Sequence, residues 1–152
     1  TPPPVVFAKN RLEIAVEKGN PQKVKGLADL DKSGLVLVLC ADAVPCGKYA
    51  AEAFAKAGVT VNPASQEENA KATLSKVSLG EADASVVYAT DVQAAKGAVS
   101  RVKIPAGQNV IATYPIAVVK EADNPAAAKA WVQFIQTKGA QKTLQKFGFL
   151  PA

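Results

Sequence analysis

The 152-residue sequence has no histidine, no methionine, only two cysteines, and aromatic residues at just 6%. Each shortage excludes something. Without histidine there can be no Ser-His-Asp triad, no Cys-His nucleophile pair and no histidine-ligated zinc. Two cysteines alone make a poor metal site. What remains is carboxylate, lysine or tyrosine chemistry, or binding without chemistry. No dense block of basic charge accompanies the formal net charge of +5. Lys9, Arg11, Lys18, Lys23, Lys25 and Lys32 are scattered, whereas nucleic-acid binders gather cations and aromatics on one face. Long hydrophobic runs are missing too. The longest, Gly34 to Ala41, has the length of a strand and not of a membrane span.

What is present is a globular composition, 49% hydrophobic, on a chain long enough to bury a core. Leu12 to Val16 alternates like a strand, and Leu27 to Leu30 reads as a short helical turn. Leu35 to Leu39 is apolar on both faces, as in a parallel sheet covered by helices. A helix is predicted from about Gly47 to Ala57, with Gly58 as its stop. Val59 to Val61 reads as a short strand. Ser65 to Glu68 has the spacing of a capping box ahead of the stripe Ala70, Leu74 and Val77.

Ala84 to Tyr88 reads as a second buried strand, and Thr90-Asp91 as the start of a short helix. Val99 to Ile104 and Tyr114 to Val119 complete the predicted strands. Asn124-Pro125 has the cap-then-proline pattern of a helix start. That helix presents Ala127, Trp131, Phe134 and Ile135. Lys138-Gly139 divides it from a last helix lined by Ala140, Leu144 and Phe147. Strands alternating with helices predict an α/β fold with a mainly parallel sheet. Such sheets bind ligands at the carboxyl ends of their strands.

Three places on that edge could bind. The loop from Cys40 to Cys46 leaves a buried strand and opens a helix, whose first free N–H groups favour anions. Pro45 stiffens the loop, and Gly47 would let a ligand approach the backbone. Cys40 and Cys46 flank the loop. In an exported protein they would be bridged, and otherwise they are two buried thiols. The second place is the strand end at Val86, Val87 and Tyr88. The third is Tyr114, whose phenol can donate to a ligand oxygen. No carboxylate pair has a catalytic setting, and Asp42, beside the loop, is expected to point away from an anion.

These landmarks, taken in order, resemble one family. Val44-Pro45-Cys46-Gly47-Lys48-Tyr49-Ala50 looks like the anion loop in the second lobe of the periplasmic molybdate-binding proteins. Gly80 to Tyr88 resembles their G-x-A-D-x-G-(I/V)-V-Y strand, with Ser85 where glycine is usual. Thr113 to Val119 is similar to their returning hinge strand, and Gly139-Ala-Gln-Lys with Phe147-Gly148-Phe149 to their close.

The resemblance implies a two-lobed receptor of an ABC importer, not an enzyme and without a cofactor. The oxyanion, molybdate or tungstate, would be held by neutral donors. Carried onto this sequence, these are the backbone N–H groups of Cys46 and Val87 and the Tyr114 hydroxyl, with Gly47 a possible addition. Cys46 stands where the family usually has a small residue, a change that keeps a backbone donor.

The resemblance also divides the chain. Residues 1–12 are the lead-in and start of a hinge strand, 13–113 a complete α/β lobe, and 114–152 the returning hinge strand with the C-terminal helices of an incomplete lobe. Two Ser-bearing donor loops of the family would lie upstream. Trp131, Phe134, Leu144, Phe147 and Phe149 would then face a partner, either the missing segment or a second copy. An extracytoplasmic setting follows, in the periplasm or as a cell-surface lipoprotein, with the importer's permease as partner. The alternatives are a receptor for sulfate or another tetrahedral oxyanion, or the ligand-sensing domain of a regulator, although no DNA-binding helix pair is visible.

Overall fold

The computed structural model describes residues 3–152, so Thr1 and Pro2 of the expected proline-rich lead-in lie outside the described residues. The chain divides into two compact units: residues up to Asn10 together with Ile111–Ala152, and Arg11–Val110.

The Arg11–Val110 unit is built on a sheet in the order β3-β2-β4-β1-β5. These are β1 (Val5–Glu17), β2 (Leu37–Cys40), β3 (Ser65–Glu67), β4 (Ala84–Tyr88) and β5 (Val99–Lys103). β2 runs parallel to β3 and β4, while β1 runs antiparallel to β4 and β5. Hence β2, β3, β4 and β5 share one direction and β1 opposes them, which gives the mainly parallel sheet that the sequence predicts.

Strand alternation divides β1 between two cores. Leu12, Ile14 and Val16 join Leu37, Leu39 and Val86 on one face. Ala15 joins Val38, Val87, Val77 and Val92 on the other. The first face is covered by α1 (Pro45–Ala57) through Ala50, Ala53 and Phe54. The second is covered by α2 (Ala70–Ser78) and α3 (Ala89–Ala94). Gly58 ends α1 at φ 66°, a left-handed conformation that glycine adopts without strain.

Four sequence expectations are corrected. Val59 to Val61 forms no strand, and the neighbour of β2 is instead Ser65–Glu67. Ser65 therefore cannot cap a helix, and its hydroxyl donates to Glu67 Oε1 at 2.8 Å. The cap of α2 is Asn69, whose Oδ1 accepts from Ala72 N–H at 2.8 Å. The capping-box spacing was chance: parallel pairing to β2 outweighed a local signal. The last strand, β6, is Ile111–Ile116, earlier than the predicted Tyr114–Val119. Finally, Lys138-Gly139 lies inside the last helix, α5 (Lys138–Lys146), which Thr137 caps.

The other unit holds the first part of β1, β6, α4 (Pro125–Ile135) and α5, with β6 paired to β1. Asn124 caps α4, accepting from Ala127 N–H at 3.0 Å, with Pro125 in the first turn as expected. The chain end is tied back by the mutual Lys9–Leu150 backbone bonds at 3.1 and 2.8 Å. Gln141 Nε2 adds a bond to Phe7 O at 2.8 Å. Trp131 and Phe134 stack with ring centroids 5.4 Å apart, yet both are more than half exposed. The apolar face that the sequence assigns to α4 is therefore uncovered in this structure.

Candidate functional site

The loop between β2 and α1 is closed covalently by a Cys40–Cys46 disulfide, with Cα atoms 5.9 Å apart. Of the two sequence readings, bridge or free thiols, the bridge is the observed one. Both cysteines are buried. Backbone contacts fix the same loop: Val44 N–H donates to Ala41 O at 3.1 Å, and Ala41 N–H to Glu67 O at 2.8 Å.

Gly47 is required here for a reason other than the expected one. A Cβ at this position would collide with Ala41 O and lie 2.6 Å from Ala41 C and 2.8 Å from Cys40 O. The space that glycine opens is filled by the loop's own carbonyls, not left for a ligand. Gly47 also borders a cavity of about 470 Å³ with mixed walls, apolar at Leu39, Phe54 and Pro63 and polar at Asp42, Thr60 and Gln66.

The first turn of α1 has unspent donors. Pro45 has no N–H, and Lys48 N–H closes onto Val44 O at 3.1 Å. Val44, in the cap position, has an apolar side chain and makes no capping bond, and no acidic residue stands in the turn. The N–H groups of Cys46 and Gly47 are thus the orphan pair of this helix start. Both residues are buried, and buried orphan donors are costly unless something accepts from them. Two adjacent neutral donors with the helix dipole behind them suit an anion. Asp42 is turned to Gln66, accepting from its Nε2 at 3.3 Å.

β4 ends differently. Glu17 N–H donates to Asp83 O at 3.1 Å. The antiparallel alternation then makes Glu13–Val87 a bonded rung, so the Val87 N–H faces β1. The next amide, Tyr88 N–H, is taken by Asp91 Oδ2 at 3.1 Å. Burial pushes the Asp91 carboxyl above the ordinary aspartate value, against the smaller downward pull of that bond.

Glu13, which sequence reading passed over, is 1% exposed. Its two oxygens have no hydrogen-bond partner and are only ion-paired, to Arg11 at 3.5 Å and Arg101 at 3.9 Å. The alternation of Leu12 to Val16 puts Glu13 on the face opposite Leu12, Ile14 and Val16, the side that a half-buried strand turns to water, and only the covering of that second face in the fold buries it.

Tyr114 belongs to the other unit. Its hydroxyl lies 3.4 Å from Asn10 Nδ2, which donates to it, and its ring meets Phe149 edge-on at 5.7 Å and Phe7 at 6.4 Å. With Asn10 as donor, the phenol proton remains available to a ligand oxygen. Among the described residues no cluster of His, Cys, Asp or Glu could hold a metal ion, and no helix is long and apolar enough to cross a membrane.

A family model described as bacterial extracellular solute-binding protein matches residues 1–150. The chain belongs to that family. Extracellular solute-binding proteins are receptors and not enzymes. Within the family the chain is 35% identical over 146 residues to ModA, a molybdate-binding protein of Mycobacterium tuberculosis; the match covers 96% of this chain and 56% of ModA. The chain thus spans about half the length of that relative.

Two solved structures share the fold. The periplasmic molybdate-binding protein of Azotobacter vinelandii matches with a TM-score of 0.78 at 14% identity, covering 98% of this chain and 68% of the other. The sulfate-binding protein SubI of M. tuberculosis matches with a TM-score of 0.75 at 22% identity, covering 97% and 58%. At those identities the likeness is one of architecture. It does not distinguish one oxyanion from another.

Proposed function

We propose that this chain is part of a receptor that binds molybdate or tungstate outside the cytoplasm, in the periplasm or as a cell-surface lipoprotein, and passes it to the permease of an ABC importer. The observation that carries the reading is the orphan N–H pair of Cys46 and Gly47 at an uncapped, disulfide-closed helix start. The identity to ModA supports the choice of anion.

The mechanism is recognition by fixed dipoles. A tetrahedral dianion needs several donors at set distances, and neutral donors held rigidly favour the ion whose oxygens reach them all. Cys46 and Gly47 supply two. The Val87 N–H, implied by the resemblance, would be shared with the carbonyl of Glu13. The Tyr114 hydroxyl, likewise implied by the resemblance, would add a side-chain donor.

The resemblance assigns two further donor loops to sequence upstream. Binding by the 152-residue chain is therefore read with a method that reports weak complexes. In ¹⁵N-resolved NMR, molybdate and tungstate at millimolar concentration shift the Cys46 and Gly47 amides, and sulfate shifts them less. A larger response to sulfate would make this a sulfate receptor. No response of either amide to any of the three ions would remove the oxyanion reading. Tyr114→Phe leaves the amide shifts in place and weakens binding by about ten- to a hundredfold, the value of one charged hydrogen bond.

A further inference from the structure

The helices of this protein solve the problem of their first N–H groups in two ways. α2, α4 and α5 use side chains: Asn69, Asn124 and Thr137 accept from Ala72, Ala127 and Ala140. The start of α3 is tied by Asp91, which accepts from Tyr88 N–H. α1 is the longest helix among the described residues, yet its cap residue is Val44, with no capping bond. In place of a cap it has a covalent tie from the end of β2 to its own second residue, Cys46.

The two devices have different consequences for a ligand. A Ser, Thr, Asp or Asn cap accepts from the second or third helical N–H, which here are those of Cys46 and Gly47. Such a cap would order the turn by occupying the same donors that an anion needs. A disulfide orders the turn and occupies none. Its contribution to global stability is limited by the shortness of the closed loop, since cysteines six positions apart restrict the unfolded chain little. The loop also has its own backbone bonds and the Gly47 contact to keep its shape. What the bridge adds to these is a fixed position for Cys46.

We propose that the Cys40–Cys46 disulfide replaces a helix cap, holding the Cys46 and Gly47 N–H groups in place while leaving them unspent, so that Cys40 is a positioning residue for the oxyanion. This rests on the oxyanion reading above.

The test separates stability from binding. The probes are molybdate and tungstate, read by NMR shifts of the two amides and by Tm, on the whole 152-residue chain well below Tm. Val44→Ser and Val44→Asp install a conventional cap on a residue already in extended backbone, φ −102° and ψ 156°. Both variants keep or raise Tm and weaken oxyanion binding at least tenfold. Cys40→Ala/Cys46→Ala lowers Tm and weakens binding to a similar degree. Adding Val44→Ser to that double variant restores Tm but not binding.

A bridge that served stability alone would behave otherwise: the folded double variant would bind as the wild type does, or Val44→Ser would restore both properties. Either result overturns the proposal. If the wild-type amides respond to no oxyanion, the oxyanion reading itself falls, and this inference with it. That failure is recognised in the wild type before any variant is made.

Discussion

Asn109 clamps Leu12 with both ends of its carboxamide: Oδ1 accepts from Leu12 N–H at 3.0 Å and Nδ2 donates to Leu12 O at 2.9 Å. The side chain thus acts as one rung of β-ladder beyond the Ile14–Val102 pair of β1 and β5. It also takes the Val110 N–H at 2.8 Å, and its own carbonyl accepts from Lys56 Nζ at 3.0 Å. Asn109→Ala leaves the buried N–H and C=O of Leu12 without partners, at about 1–3 kcal/mol for each buried group. Chemical denaturation should show a loss of about 2–4 kcal/mol on that basis. A change below about 0.5 kcal/mol, the size of an ordinary surface substitution, would show that the rung is dispensable.

Gly47→Ala is expected to be the most damaging methyl group that can be added to the loop. The new Cβ meets backbone carbonyls of Ala41 and Cys40, which cannot swing aside as a flexible side chain would. Overpacking of this kind costs about 1–3 kcal/mol, and here it also displaces the two orphan amides. Thermal melts and the Cys46 amide shift should both move. A variant with unchanged Tm and an unchanged spectrum around Ala41 would contradict the contact.

Glu13 makes the opposite forecast. Its carboxylate is buried, ion-paired at 3.5 and 3.9 Å, and without a hydrogen bond. Breaking such a pair from the exposed side differs from replacing the buried ion. Glu13→Leu removes a charge that burial disfavours and should leave stability unchanged or improve it by about 1–2 kcal/mol. Arg101→Gln keeps the buried carboxylate and weakens its compensation, so it should destabilise. If Glu13→Leu proved the more harmful of the two in urea unfolding, the carboxylate would hold a structural role that its geometry does not show.

Asp91 gives a pH signature whose sign follows from burial. Its carboxyl is raised above the ordinary value of 3.8 because desolvation outweighs the bond from Tyr88 N–H. The folded state therefore holds the proton more tightly than the unfolded state. The stabilising contribution is fully present below the unfolded value and is lost as pH rises through the folded one. Asp91→Asn, which can still accept from Tyr88, should be more stable than wild type at pH 7, and the difference should vanish near pH 3. Tm measured across that range checks it. A wild type more stable than Asp91→Asn at pH 7 would reverse the assignment.

Much of this protein was legible in its sequence because the decisive signals are local. The apolar run ending at Leu39, the Asn124-Pro125 start and the glycine after Ala57 each express a steric or hydrogen-bonding preference that neighbouring residues do not contradict. The strand-loop-helix at Cys40 to Gly47 was legible for the same reason, since cysteine spacing and a proline mark it without knowledge of the rest of the chain.

The tertiary structure decided what depends on distant partners. Ser65 has a capping-box pattern, but pairing with Val38 made it a strand residue. Gly47 proved indispensable because the Ala41 carbonyl occupies its missing side chain's place, a contact no local pattern encodes. Asn109 became a ladder rung for a residue 97 positions away. The sequence by itself placed a helix start with free N–H groups after the Cys40–Cys46 loop, near Gly47; the fold begins α1 two residues earlier, at Pro45, and puts Val44, which has no side-chain acceptor, in the cap position. Only the folded chain decided that Cys40 would stand close enough to Cys46 to hold that helix start without taking its donors.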